Sequence, residues 1–359
     1  MKALILAGGA GTRLRPFTHT LPKQLIPVAN KPILEHVLEN VRQLGVTEAG
    51  IIVNCWAPEI VAQLGDGSRF GLSFKYIPQD KPRGLAHAVL IARDFIGTDD
   101  FVMHLGDVIL ADSITECHEE FTARRPAAHV VVTKVTDPRA FGVVETDRDG
   151  AVVRLTEKPR CPRSDLALTG VYFFTPAIHR AVGAIRPSAR GELEITDAIQ
   201  WLLTEGEEVT ASQYDGYFRD VGRVRDVLEC NRKVLDGLRP RLSGEIDADS
   251  TLTGPVTVEA GARVVRSAIE GPAIVGAGTV VQDSHVGPHT SIGRDCVLTH
   301  ARIDYSVVLE GATVSGARGV HGSMIGRHAT VATADAGTIG QCLVIGDGSS
   351  VSLAPSGQA

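Results

Sequence analysis

The sequence predicts an α/β domain built on a mixed, mostly parallel sheet, followed by a parallel β-helix. Three observations carry that prediction. Short apolar runs alternate with helical stripes from residue 3 to residue 105; strand-like runs crowd together between residues 130 and 174; and beyond residue 240 an apolar residue recurs every six positions among glycines.

The first apolar run, Ala3 to Leu6, empties into Ala7-Gly8-Gly9-Ala10-Gly11-Thr12-Arg13-Leu14 and then reaches Pro22-Lys23-Gln24. Ile33, Leu34, Val37, Leu38, Val41 and Leu44 then form a stripe at helical spacing that stops at Gly45, a natural C-terminal cap. Ile51-Ile52-Val53 and Phe74 to Ile77 predict two more buried strands, Leu85 to Ile91 a helix, and Phe101 to Leu105 a fourth strand ending at Gly106-Asp107. Strands separated by helical patterns imply crossover units and a sheet covered on both faces. Ligands of such sheets sit beyond the carboxyl ends of the strands, where Gly8 to Arg13 and Asp107 fall.

Val130 to Val132, Gly142 to Val144, Val152 to Leu155 and Val171 to Phe174 are the crowded strands, with an Asp149-Gly150 turn joining the second and third. A helix is predicted through Arg190 to Asp197 and on to Leu203, and another over Val224 to Leu238. Arg239-Pro240-Arg241 ends it and marks a boundary. Beyond it Ile274, Val280, Val286, Ile292 and Leu298 recur every six residues, the signature of short strands coiling in parallel. The glycine and β-branched content makes a helical reading a poor competitor. The repeat is expected to degrade between Gly316 and Gly340. The expected domains are therefore residues 1–239, a β-helix at 240–353 and a disordered tail at 354–359.

The 359 residues carry a net charge of -6, which argues against a nucleic-acid partner. Six cysteines lie far apart without a C-x-x-C pair, signalling neither zinc nor a disulfide framework and fitting a reducing cytoplasm. No apolar run reaches membrane-spanning length, and the first strand is too short for a signal peptide core.

A strand that ends in glycines exposes backbone N–H groups to a ligand that must approach closely, and an anion suits them. The spacing is neither a P-loop nor a dinucleotide fingerprint. Thr12-Arg13 adds a hydroxyl and a fork of donors, suited to a polyphosphate held by its side. An isolated glycine loop with a solvated arginine has the same look. Leu105-Gly106-Asp107 and Arg219-Asp220-Val221-Gly222 each place a carboxylate at a loop, with a glycine beside the first and close behind the second, which a divalent metal on a triphosphate would need. Either aspartate alone is as readily a turn former. Glu157-Lys158-Pro159 leaves an acid and a base at a strand exit.

Together, Leu6 to Leu14, Pro22-Lys23-Gln24-Leu25-Ile26-Pro27-Val28 and Asn30-Lys31-Pro32 resemble the sugar-nucleotide pyrophosphorylases. Leu105-Gly106-Asp107, Phe141 to Val144, Glu157-Lys158-Pro159, Leu168 to Tyr172 and Arg190 to Asp197 narrow the resemblance to the glucose-1-phosphate thymidylyltransferases, in the longer form that ends in a left-handed β-helix of hexapeptide repeats. The resemblance implies a Rossmann-like nucleotidyltransferase domain that joins dTTP to glucose 1-phosphate with Mg²⁺. It implies that Gly8, Gly11, Thr12 and Arg13 hold the triphosphate and that Lys23 sits between the reacting phosphates. Gln79 would read the pyrimidine edge, with Gly84 beneath the base, and Asp107 and Asp220 would hold the metal. Gly142, Glu157, Val171 and Glu194 would surround the sugar, with Lys158 on its phosphate. A cytoplasmic homo-oligomer is expected, associating through the β-helix.

Val221 and Phe218 depart from the Thr and Trp common at the second aspartate. Gln79 pairs with uracil as well as thymine, so a UTP-using enzyme stays open. So do a bifunctional acetyltransferase, for which His285, His289, His300, His321 and His328 would offer a base, and a non-catalytic regulatory subunit.

Overall fold

The structure is a computed structural model that describes residues 1–333. The chain divides into two compact units: residues 1–9 with 32–221, and residues 10–31 with the chain from 222 onward.

The first unit is built on a nine-stranded mixed sheet. Lys2–Leu6 lies between Glu48–Val53 and Phe101–Leu105, parallel to both, and Ser73–Pro78 extends the parallel half. Leu166–Phe174 then runs antiparallel to Phe101–Leu105, to Ala128–Lys134 and to Gly142–Thr146, and Val152–Glu157 closes that edge. The alternation of strand and helix before residue 105 thus builds the parallel half, and the crowded strands after residue 130 build the antiparallel half. The core lies where both meet the helices Leu85–Ile91 and Ile195–Thr204, with Leu4, Phe101, Met103, Phe174 and Ile199 buried.

Several elements have weak sequence signals and were not expected: the helices Ala57–Leu64, Thr115–Arg124 and Ile178–Ala184, and the strands Val108–Leu110, Val209–Gln213 and Phe218–Asp220. Thr115–Arg124 is mostly polar and buries only Cys117 and Phe121, so it shows little periodicity. The helix expected from Arg190 begins at Ile195, because Arg190 to Glu194 form an extended approach.

In the second unit the helix Val224–Asp236 leads into a left-handed parallel β-helix of three sheets. Its interior corrects the six-residue frame. Val264, Val281 and Leu298 stack 17 residues apart, and Val258, Val275 and Ile292 do the same. The interior therefore contains Val275 and Val281, and their apolar neighbours Ile274 and Val280 lie outside it. A coil is one residue short of three sixes because Val264 to Ile269 spans five. Nor does the repeat degrade at Gly316: Val320–His321, Met324–Ile325 and Thr330–Ala332 continue the three sheets. The remainder of that stretch, and the expected tail, lie outside the described residues.

One corner of each coil needs a left-handed residue, and Arg266, Asp283 and His300 occupy it in successive coils at φ 45°, 49° and 52°. None of the three is β-branched, and β-branched side chains tolerate that region least. His289 and His328 also sit at left-handed positions, while His285 pairs with Glu270 at 2.9 Å and His321 with Asp304. The β-helix histidines therefore have structural work at corners and coil-to-coil pairs.

Candidate active site

In the first unit the carboxyl ends of three parallel strands set the scene. Ala7 N–H donates to the Ile52 carbonyl at 2.9 Å, and Asn54 Nδ2 donates to the Gly8 carbonyl at 2.8 Å, so the chain leaving the first strand is held against the second. Gly106 N–H donates to the Leu6 carbonyl at 2.9 Å, and a Cβ on Gly106 would stand 2.8 Å from that oxygen. Glycine is required there by the close approach of two backbones.

Asp107 and Asp220 are brought together by a short ladder. Phe218–Asp220 pairs antiparallel with Val108–Leu110, Asp220 opposite Val108, and Val221 N–H donates to the Asp107 carbonyl at 3.0 Å. More than a hundred residues of chain separate the two carboxylates, yet the backbone sets them in adjacent positions. The departure at Val221 has an explanation: its side chain is fully buried, where a hydroxyl would need a partner. Phe218 packs on Phe141, with ring centroids 6.0 Å apart. Two carboxylates with no third His, Cys, Asp or Glu to form a cluster among the described residues give a hard oxygen donor set with positions left over. That suits Mg²⁺, which keeps several waters and shares substrate phosphates.

Gln79 is buried, and its Nε2 lies 3.0 Å from His87 Nδ1. Burial lowers the pKa of His87, and Arg83 adds to the effect, so the neutral ring accepts from the amide and orients it. A Cβ on Gly8 would touch Gln79 Oε1 at 3.5 Å, so these two expected residues are neighbours. Gly84 has φ 100°, and a Cβ there would stand 2.3 Å from the Leu193 carbonyl. Leu193 N–H also donates to the Arg83 carbonyl at 2.8 Å, which locks this loop to the segment that ends at Glu194.

Glu157 ends its strand opposite Gly142, and a Cβ on Gly142 would meet Leu168, Thr196 and the Glu157 carboxylate, at 2.6, 2.8 and 3.3 Å. Lys158 Nζ lies 3.0 Å from Glu157 Oε1, and Thr196 Oγ1 donates to Oε2 at 3.3 Å. Arg190 joins this cluster, reaching Glu157 at 3.5 Å and Glu194 at 2.9 Å. Glu194 is buried and also accepts from Ser188 Oγ at 2.8 Å. Burial, with the Glu194 and Glu157 charges, raises the pKa of Asp197. Val171 lies opposite His104 with its side chain fully buried, so only its backbone is available to a ligand. The ladder to Ala128–Lys134 skips from Leu168 to Tyr172, leaving Thr169, Gly170 and Val171 in a bulge.

Gly11, Thr12, Arg13 and Lys23 belong to the second unit. Gly11, at φ 62°, starts a short turn through Thr12–Leu14, and Thr18 Oγ1 donates to its carbonyl at 2.8 Å. A Cβ on Gly11 would stand 2.9 Å from Thr18 Cγ2 and 3.0 Å from Lys23 Cβ, so its bareness lets Lys23 approach the turn that carries Thr12 and Arg13. The sequence reading missed two residues. Gln24 is buried with neither amide atom hydrogen-bonded, and in the sequence it stood only within the Pro22-Lys23-Gln24 motif. Arg190 was read as part of a helix and of a family motif but given no role, and its approach to Glu157 follows from the extended backbone of residues 190–194.

The nucleotidyl transferase family model matches residues 2–237. Glucose-1-phosphate thymidylyltransferase of Streptomyces griseus is 54% identical over 97% of this chain and 98% of its own length. The chain belongs to the nucleotidyl transferase family, on its glucose-1-phosphate thymidylyltransferase branch. The Streptomyces antibioticus member of that branch is 51% identical over 98% of this chain and 99% of its own. A solved structure titled as a putative glucose-1-phosphate thymidylyltransferase from Bacillus anthracis in complex with a sucrose superposes with a TM-score of 0.61 at 37% identity, covering 65% of this chain and 95% of that one. The chain is thus a nucleotidyltransferase, and the family model ends one residue after the helix Val224–Asp236.

Proposed function

We propose that the chain transfers the thymidylyl group of dTTP to glucose 1-phosphate, releasing pyrophosphate, in a reaction that uses Mg²⁺ held by Asp107 and Asp220. The ladder that sets Asp220 opposite Val108 and ties Val221 to Asp107 supports this reading most strongly, since it brings together two carboxylates from distant parts of the chain at the end of a parallel strand. When bound, Mg²⁺ supplies charge neutralisation and orientation of the phosphate oxygens.

The residues of the chain act on two anions that repel one another, by about 4 kcal/mol for each pair of unit charges 4 Å apart at the effective dielectric of a protein surface. In this reading Gly8, Gly11 and Thr12 hold the triphosphate, Arg13 takes the departing phosphates and Lys23 offsets the charge where the phosphates react. The Gln24 amide, buried beside Lys23, supplies a donor and an acceptor to the same nucleotide. Gln79, oriented by His87, pairs with the pyrimidine, and Gly84 leaves room for the base. Glu157, with Gly142 and the Val171 backbone, accepts from the sugar hydroxyls. Lys158 and Arg190 hold the sugar phosphate, and Glu194 fixes Arg190. The sugar phosphate oxygen is already ionised, so it attacks the α-phosphorus in line without a general base. Positioning and electrostatic stabilisation provide the rate.

Asp107→Asn and Asp220→Asn keep the shape of each side chain and remove the charge. Each is expected to lower pyrophosphate release at least about 100-fold without loss of folded protein; unchanged transfer in either would refute the assignment. The reading places the protein in the cytoplasm with its substrates, as a homo-oligomer. A single monomeric species in sedimentation at micromolar concentration would contradict the second part.

A further inference from the structure

We propose that Gly222 is a positioning residue for the Arg13 guanidinium: its bare α-carbon is the seat on which that group lies. The inference rests on the reading that Arg13 holds the departing phosphates, and it adds what holds Arg13. A Cβ on Gly222 would stand 2.8 Å from Arg13 Nη2, 3.1 Å from Cζ and 3.5 Å from Nη1, so the flat of the guanidinium rests against the glycine.

The backbone offers no other reason for glycine at this position. Gly222 is not among the residues at positive φ, so any L residue would adopt its conformation. The turn itself is held from the other side. Asp226 Oδ2 accepts from Gly222 N–H at 3.3 Å and from Arg223 N–H at 2.9 Å, which starts the helix Val224–Asp236 and fixes where the α-carbon lies. Asp226 is buried, so the seat is rigid while the arginine is a long, flexible chain. An added methyl therefore displaces the guanidinium and leaves the turn in place.

The consequence is economical in residues. Gly222 follows the carboxylate Asp220 by two positions, so one turn carries a proposed metal ligand and the support for a proposed phosphate ligand. The two neighbours differ in what they face: the Val221 side chain is buried, and Gly222 faces Arg13.

The test uses the full chain with Gly222→Ala, Arg13→Ala and the double variant, assayed in both directions. Gly222→Ala is expected to lower kcat/KM for dTTP and for pyrophosphate roughly 10- to 100-fold, less than the roughly 100- to 1,000-fold cost of removing such a donor outright, because the guanidinium is displaced and not lost. The KM for glucose 1-phosphate should change less than about twofold, and the melting temperature should stay within about 2 °C, because only the end of a flexible side chain moves. In the Arg13→Ala background the same substitution should cost less than about twofold more, since the group it displaces is gone. Losses that multiply, a large fall in melting temperature, or full activity of Gly222→Ala beside an impaired Arg13→Ala would each overturn the seat while leaving the role of Arg13 intact. Full activity of Arg13→Ala would instead remove the role of Arg13 and the inference with it.

Discussion

Asn231→Ala should loosen the segment that carries Lys23. Asn231 lies fully buried on the helix Val224–Asp236. Its Oδ1 accepts from Ala29 N–H at 2.9 Å and from Ser291 Oγ at 2.7 Å, and its Nδ2 donates to the His289 carbonyl at 3.0 Å. One amide thus joins the end of the loop at residues 10–31, the helix and a coil of the β-helix, and Asn30 Nδ2 adds a parallel tie to the Ile292 carbonyl at 2.6 Å. Removing the amide leaves three groups to find new partners. A stranded buried group costs about 1–3 kcal/mol, but Ala29 and His289 are half-buried and reach water, and the Ser291 hydroxyl can turn. The expected loss is about 2–4 kcal/mol. Native-state hydrogen exchange at the Ala29 amide reads it directly, as a rate increase of roughly 30- to 1,000-fold if the loop opens by that amount. Far-UV circular dichroism should follow unfolding, because Trp56 and Trp201 both lie in the other unit. An Ala29 exchange rate within about threefold of the parent, together with a stability change below about 1 kcal/mol, would refute the reasoning.

Other consequences are simpler to state. Gly84→Ala places a methyl 2.3 Å from the Leu193 carbonyl at φ 100°, so it should destabilise by at least about 2 kcal/mol in urea titration and raise the KM for dTTP; a neutral result would mean the loop has another conformation. Burial holds the pKa of His104 and of His129 down to about 4, so both are neutral in the folded chain at pH 7. The unfolded chain binds protons near pH 6.5 and the folded chain does not, so stability should fall as pH drops from about 6.5 toward 4, by roughly 3 kcal/mol for each histidine at the lower limit. His129→Gln should flatten that part of the stability profile, and a curve as steep as the parent's would contradict the assignment.

The alternation of strand and helix before residue 105 was legible because each element is a continuous apolar run or stripe closed by glycine. Candidate site residues stood out in the sequence where a strand end, a glycine and a charge coincide, as at Gly8 to Arg13 and at Asp107. What was not legible is long-range. Nothing near Phe218–Asp220 announces a ladder with Val108–Leu110, and nothing near Gly222 announces Arg13, since both meetings are decided by the path of the chain between them. The frame of the β-helix slipped by one for a local reason: Ile274-Val275 and Val280-Val281 are apolar doublets, and a count of sixes passes through the wrong member of each. Gln24 was given no role of its own because an amide is informative only when its burial and its lack of hydrogen-bond partners are known.

The most direct test of the central claim is pyrophosphate release with glucose 1-phosphate and Mg²⁺, comparing dTTP, UTP, CTP, GTP and ATP at matched concentrations. The account predicts turnover with a clear preference for dTTP, lost in Asp107→Asn. Equal or better turnover with UTP would contradict the nucleotide assignment and the reading of Gln79, and release that persists in Asp107→Asn would contradict the metal site.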